Sequence, residues 1–258
     1  MRPVKPAFAW PGGKSWAIKY VIPRITQHTC YCEPFAGGLA ILLAKEPSKI
    51  EVINDINSDL VNFYRCVRFH LDELIKEIQW VLSSREEFTD MKKQPGLTDI
   101  QRAARWFRTI SMSFGADGDS YGVQRKSGGA VNKSRHSLIE RIDALNSRLD
   151  RVNIEHLDWE RCIRLYDGPD TFFFIDPPYL GGKIKNYAAW SAGDLQKLRD
   201  VLVTLKGNWM LTINDQQKTR LILEQFSILS LKRNRGIANR LGIATEYKEM
   251  IVMPGKLG

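Results

Sequence analysis

The sequence predicts an α/β fold, a largely parallel sheet with a mostly helical insertion in mid-chain. Three observations carry the prediction. Short apolar runs at 30–33, 49–54, 152–155, 171–175, 208–213, 227–231 and 247–253 read as strands, and helical spacing separates several of them, as with Leu195, Leu198, Leu202 and Leu205. Between the second and third runs the pattern changes for about ninety residues, where apolar side chains step by threes and fours. No fixed-period repeat or low-complexity tract is present, which sets solenoids and propellers aside.

Strand 30–33 runs into the turn Pro34-Phe35-Ala36-Gly37-Gly38, after which 39–45 reads as a helix. The second strand, 49–54, stops at Asp55. Leu60, Tyr64, Val67, Leu71, Leu74, Ile78 and Leu82 then predict one long amphipathic helix. Thr98-Asp99-Ile100-Gln101 has capping-box spacing and opens a helix through about Phe114, while Ser137-Leu138-Ile139-Glu140 has the same spacing near the start of a third. Between them, 115–134 holds five glycines with Tyr121, Arg125, Lys126 and Lys133; it suits close approach to a ligand and equally a surface excursion. The organisation expected is one domain in two parts, 1–56 and 149–258, around a helical insertion at 57–148.

With 258 residues, 43% hydrophobic and 26% charged, the chain has an ordinary globular composition, which excludes disorder, collagen-like repeats and disulfide-dense miniproteins. No apolar run approaches the roughly 18 residues that cross a bilayer, and the start Met1-Arg2-Pro3-Val4-Lys5-Pro6 lacks a signal peptide's apolar stretch. A cytoplasmic protein with no membrane partner is expected. Cys30, Cys32, Cys66 and Cys162 are too sparse for a disulfide framework and read as reduced core thiols. A net charge of +9 favours a polyanionic partner, nucleic acid first.

Asp176-Pro177-Pro178-Tyr179 directly follows the apolar run 171–175. Open α/β sheets bind ligands outside the carboxyl ends of their strands, where this tetrapeptide falls. Its two prolines stiffen the backbone and remove two N–H donors, so the carbonyls face outward. The amino nitrogen of a nucleobase is a poor nucleophile, because its lone pair is delocalised into the ring. The Asp176 carboxylate and the Pro177 carbonyl are acceptors for its two hydrogens and bias the nitrogen toward a tetrahedral form. Tyr179 offers the ring a platform, worth roughly 1–3 kcal/mol in such stacks. A rigid turn with a buried tyrosine is the structural alternative.

The glycines of Glu33-Pro34-Phe35-Ala36-Gly37-Gly38 let a ligand approach the backbone, but the dinucleotide fingerprint is not matched. Asp55, at the next strand end, is an acid placed to accept hydrogen bonds from ribose hydroxyls. Each feature alone is also a turn or a cap; together they describe a nucleoside pocket. Trp10-Pro11-Gly12-Gly13-Lys14-Ser15 ends like a phosphate loop, yet Phe8 stands where such a loop needs glycine, which argues against an NTPase. Lys14 suits a ligand carboxylate, and Trp10 a ring or a sulfonium. His28-x-Cys30-x-Cys32 has no second cysteine pair at zinc spacing, so no metal is expected. Cys66 and His70 share a face of the long helix and read as packing, and His136 and His156 as surface or cap residues with no nucleophile nearby. Lys183, Lys185, Lys232, Arg233, Arg235 and Arg240 fit either a solvated face or phosphate tracking.

From about Lys5 to Met253 these segments, in this order, resemble the Dam-like (D12 class) family of adenine-N6 DNA methyltransferases. The resemblance implies an S-adenosylmethionine-dependent methyltransferase fold, a Rossmann-like mixed sheet whose 57–148 insertion recognises the target. It implies that Trp10, Lys14, Glu33, Phe35, Ala36, Gly37, Gly38, Asp55, Asp158 and Asp176 hold S-adenosylmethionine, with Asp158 at the cofactor's adenine, and that Asn214-Asp215 follows a later core strand. Asp176, Pro177, Pro178 and Tyr179 become catalytic, and Tyr121, Arg125, Lys126, Lys133 and Arg135 meet DNA. Sequence-specific relatives carry aromatic-Asn-Gly-aliphatic-x-Arg, whereas Ser120-Tyr121-Gly122-Val123-Gln124-Arg125 keeps only the glycine, aliphatic and arginine after its aromatic. This departure implies a relaxed or altered target; Arg125 reads a guanine edge or neutralises phosphate. A monomer acting on double-stranded DNA is expected, with adenine flipped from the duplex, and a link to restriction–modification. Two alternatives stand at this point: a cytosine-N4 or RNA adenine methyltransferase, and a non-catalytic DNA-binding protein with a vestigial pocket.

Overall fold

The computed structural model describes residues 4–80, 84–116, 118–122, 134–181, 187–234 and 246–255. Its strands are β1 (Cys30–Glu33), β2 (Ile50–Asn54), β3 (Val152–Glu155), β4 (Thr171–Ile175), β5 (Asn208–Asn214), β6 (Ser227–Asn234) and β7 (Glu246–Met253). Its helices are α1 (Ile18–Val21), α2 (Ser58–Phe69), α3 (Leu71–Gln79), α4 (Arg85–Lys93), α5 (Asp99–Met112), α6 (Arg135–Leu149), α7 (Trp159–Tyr166), α8 (Ala192–Thr204) and α9 (Gln217–Ile222). The strands form a seven-stranded mixed sheet in the order β3-β2-β1-β4-β5-β7-β6, and the α/β expectation is met. The chain divides into two compact units, Met1–Arg24 with Ala36–Leu157 and Ile25–Phe35 with Asp158–Gly258.

In the first unit β2 and β3 pair in parallel, Glu51 to Val152 through Asn54 to Glu155. Helices α2 to α6 carry an aromatic core: Phe63 and Phe107 stack with centroids 5.0 Å apart, and Phe8 meets Phe63 edge-on at 5.5 Å. Leu82 lies outside the described residues, and over its described part the predicted 60–82 helix is in fact two, α2 and α3. His70 breaks it with φ −136° and ψ 42°, its N–H bonded to Cys66 O. The apolar step continues across the break because both helices pack on α5, so periodicity recorded the buried face and not the backbone. The break also puts Cys66 within α2 and His70 at its cap.

Nor is 39–45 a helix. Leu39 sits at φ +57°, and bonds from Leu43 N to Leu39 O and from Ala44 N and Lys45 N to Ile41 O make a series of turns instead of a regular ladder. Thr98 caps α5 as expected, accepting from Gln101 N at 3.2 Å. The third insertion helix starts earlier than its spacing suggested: Ser134 is the cap, and Ser137 supplies the N–H it accepts. Helix α4, not foreseen, is capped by Ser84 and buries only Phe88 and Met91, too few for a periodic signal.

In the second unit β1, β4 and β5 run parallel, while β7 pairs antiparallel with both β5 and β6. All five residues of β4 are buried, which explains its unbroken aromatic run. Helix α8 starts in a full capping box, with Ser191 and Asp194 exchanging bonds.

Candidate active site

The first unit gathers three of the expected segments. Ala36 N donates to Asn54 O at 2.8 Å, which lays the glycine turn against the end of β2. Asp55, buried, accepts from Gly37 N through Oδ2 at 3.0 Å and from Asn57 N through Oδ1 at 2.9 Å. Tyr64 O–H donates to Gly37 O. Gly37 has φ +46°, and a Cβ there would lie 2.9 Å from Trp10 Cδ1; one on Gly38 would lie 3.0 Å from Trp10 Cβ. Only glycine lets the indole lie on this turn. Trp10 is itself set by an edge contact with Phe8 at 5.8 Å. Lys14 is 3% exposed and its Nζ donates to Gly12 O at 2.6 Å. Trp10, Gly37, Gly38 and Asp55 thus form one cluster.

The second unit holds the rest. Glu33 is buried and accepts from Tyr31 O–H at 2.8 Å. Phe35 lies between two indoles, stacked on Trp159 at 6.2 Å and edge-on to Trp190 at 5.6 Å. Asp158 caps α7, accepting from Glu160 N at 2.9 Å. The tetrapeptide leaves the carboxyl end of β4 as anticipated, with Pro177 buried and Asp176, Pro178 and Tyr179 partly exposed. Thr212 O–H donates to Asp176 Oδ1 at 2.8 Å, and Tyr179 O–H donates to Glu249 Oε2 at 2.7 Å. Asn214 Nδ2 donates to Leu180 O at 3.4 Å, while among the described residues Asn214 Oδ1 meets no partner. Asp215, just past β5, accepts a two-pronged bond from Arg220, which holds its carboxyl below the usual range.

Tyr121 packs its ring against Phe88, centroids 5.7 Å apart, with the Arg85 guanidinium 5.2 Å from its centre. Arg135 is exposed at the start of α6. Arg125, Lys126 and Lys133 lie outside the described residues, as do Lys183, Lys185, Arg235 and Arg240. Cys32 Sγ lies 3.8 Å from Cys162 Sγ, and burial, with the Cys162 hydrogen bond, pushes the Cys32 thiol well up, which suits a protonated core thiol.

Residues 10–237 match the family of D12 class N6 adenine-specific DNA methyltransferases. This chain belongs to that family. A type II methyltransferase of Lactococcus lactis subsp. cremoris is 27% identical over 195 residues, 69% of this chain and 66% of its own length. One from Methanocaldococcus jannaschii is 27% identical over 204 residues, 68% of this chain and 69% of its own. The DNA adenine methylase of Escherichia coli is 31% identical over 67 residues, 26% of this chain and 24% of its own. The matched stretch therefore spans about two thirds of the first two relatives.

Membership favours adenine N6 in DNA over cytosine N4, over RNA and over a vestigial pocket. D12 methyltransferases use S-adenosylmethionine, and the groups present suit its parts. A glycine turn too tight for a Cβ, a buried carboxylate and an indole are apt for a nucleoside and a sulfonium. Among the described residues no helix is long and apolar enough to cross a membrane. Reading the sequence missed Thr212 and Glu249. Thr212 is a polar residue inside the apolar run of β5, the one signal it left, whereas Glu249 stands in the charged first half of β7 and left none.

Proposed function

We propose that this methyltransferase methylates N6 of adenines in double-stranded DNA, with Asp176, Pro177, Pro178 and Tyr179 as its catalytic segment. The observation that carries the proposal is the tetrapeptide at the end of β4, its carboxylate already engaged by Thr212. Asp176 and the Pro177 carbonyl take the two amine hydrogens and turn the nitrogen lone pair out of the ring plane. Tyr179 stacks on the base, which must leave the duplex to be reached. S-adenosylmethionine, when bound, supplies a methyl group made electrophilic by its sulfonium. Trp10, Lys14, Glu33, Phe35, Ala36, Gly37, Gly38, Asp55, Asp158 and Asp176 are our assignment for holding it. Positioning and electrostatics supply the catalysis, and the amine proton leaves once the nitrogen has become cationic.

The insertion 57–148 is our assignment for target recognition, through Tyr121, Arg125, Lys126, Lys133 and Arg135. The departure at 120–125 supports a relaxed or altered target. The Tyr121 ring is spent on packing, so its part is to fix this segment rather than to stack on a base. A monomer at work in the cytoplasm, paired with a restriction enzyme or acting alone, completes the reading. Asp176→Ala is expected to abolish incorporation of tritiated methyl into duplex DNA, and digestion of the wild-type product to yield N6-methyladenine. A variant keeping most of its turnover contradicts the assignment.

A further inference from the structure

Buried polar side chains persist in a core when something takes up their hydrogen bonds. The carboxyl end of β5 and the middle of β7 beside it hold three: Thr212, Asn214 and Glu249 are 1%, 5% and 3% exposed. Asn214 stands opposite Glu249 in the antiparallel register and Thr212 is two residues back along β5, so all three share one face of the sheet. Each is engaged with the segment that follows β4. Thr212 holds the Asp176 carboxylate, Asn214 holds the Leu180 carbonyl, and Glu249 holds the Tyr179 hydroxyl. The amide of Asn214 has one orientation, since turning it over would set two oxygens against each other at Leu180.

We propose that Thr212 and Glu249 are positioning residues that fix the amine-gripping carboxylate and the base-stacking ring before DNA arrives, with Asn214 holding the backbone just past them. This rests on the catalytic reading of the tetrapeptide. A carboxylate turns freely about two bonds; a donor on one oxygen selects one orientation. A tyrosine tethered at its hydroxyl keeps its ring in place, since it can no longer swing away about χ1. Both effects remove motion that would otherwise be frozen out during the reaction, so they belong in kcat more than in cofactor affinity.

The test is steady-state methyl transfer to duplex DNA, with cofactor binding and thermal melting measured on each variant. Thr212→Val keeps shape and removes the donor; it is expected to lower kcat about 10- to 100-fold while the KM for S-adenosylmethionine, to which Asp176 is one contributor among ten, rises less than about fivefold, and Thr212→Ser to recover to within about threefold of wild type. Glu249→Leu and Tyr179→Phe are each expected to cost about tenfold, and the double variant no more than the worse single one. If Glu249→Leu does not fold, Glu249→Gln replaces it, with a smaller loss and the same non-additivity. Wild-type rates in Thr212→Val, failure of serine to rescue, or additive losses at 179 and 249 overturn the brace. Turnover by Asp176→Ala overturns instead the catalytic reading beneath it; a dead Asp176→Ala beside an active Thr212→Val overturns the brace alone.

Discussion

Gly37 does more in the candidate site than an absent side chain suggests. Its N–H goes to Asp55, its carbonyl takes the Tyr64 hydroxyl, and Trp10 fills the space its Cβ would need. An alanine there must hold φ +46°, a conformation that costs a residue with a side chain about 1–3 kcal/mol, and must also push the indole away. Gly37→Ala is therefore expected to lower both the melting temperature and the affinity for S-adenosylmethionine, the latter at least about tenfold by calorimetry. Unchanged affinity would detach Trp10 and the turn from cofactor binding. The turn and the acid at the strand end were legible as residue types in order. That Asp55 engages backbone N–H groups on both oxygens was not, because its partner Gly37 comes near only when β2 has folded beside the turn.

Strands proved easier to read than helices, and burial explains the difference. β4 is buried throughout and written in aromatic and β-branched residues, and β1, β3 and β4 have the bounds their apolar runs predict. Helix limits depend on caps, which are single side chains: Ser134 rather than Ser137 starts α6, and His70 ends α2 without interrupting the apolar step. Charged residues inside elements were also opaque. Glu51 on β2 is 4% exposed and is bonded by Lys45 at 2.6 Å and by Arg148 of α6 on both carboxylate oxygens. Burial pushes its pKa up, but the Arg148 and Lys45 hydrogen bonds pull harder and leave it below the ordinary value of 4.5. A carboxyl with a folded pKa below its unfolded one adds stability that is complete above the unfolded value and is lost as pH falls through the folded value. Glu51→Gln leaves two cations buried without their anion, which in such pairs costs about 3–5 kcal/mol. Urea unfolding at pH 7 is expected to show that loss, and the gap to wild type is expected to narrow below about pH 4. A gap that stays constant down to pH 3 would mean the triad adds nothing through charge.

A net charge of +9 and a DNA substrate make long-range attraction unavoidable, yet the charge alone does not say which cations touch the duplex. Contact with a phosphate and contact with a base differ in what they leave behind when removed. Each phosphate neutralised adds about −0.9 to the slope of log affinity against log salt, whatever the sequence. A guanine edge read by an arginine fork instead changes one position of the site by about 1–3 kcal/mol and leaves the other positions alone. Lys126→Ala and Lys133→Ala are therefore each expected to flatten the salt slope by about one and to weaken all sequences alike. Arg125→Ala separates the two roles left open by the altered stretch at 120–125. As a base reader its loss broadens the set of methylated adenines on a random-sequence duplex mapped by long-read sequencing; as a phosphate contact it lowers yield everywhere and leaves that set unchanged. An enzyme whose target is already relaxed has little specificity to lose. A broad wild-type set that Arg125→Ala leaves the same, together with a flatter salt slope, would therefore assign this insertion to holding DNA rather than to reading it.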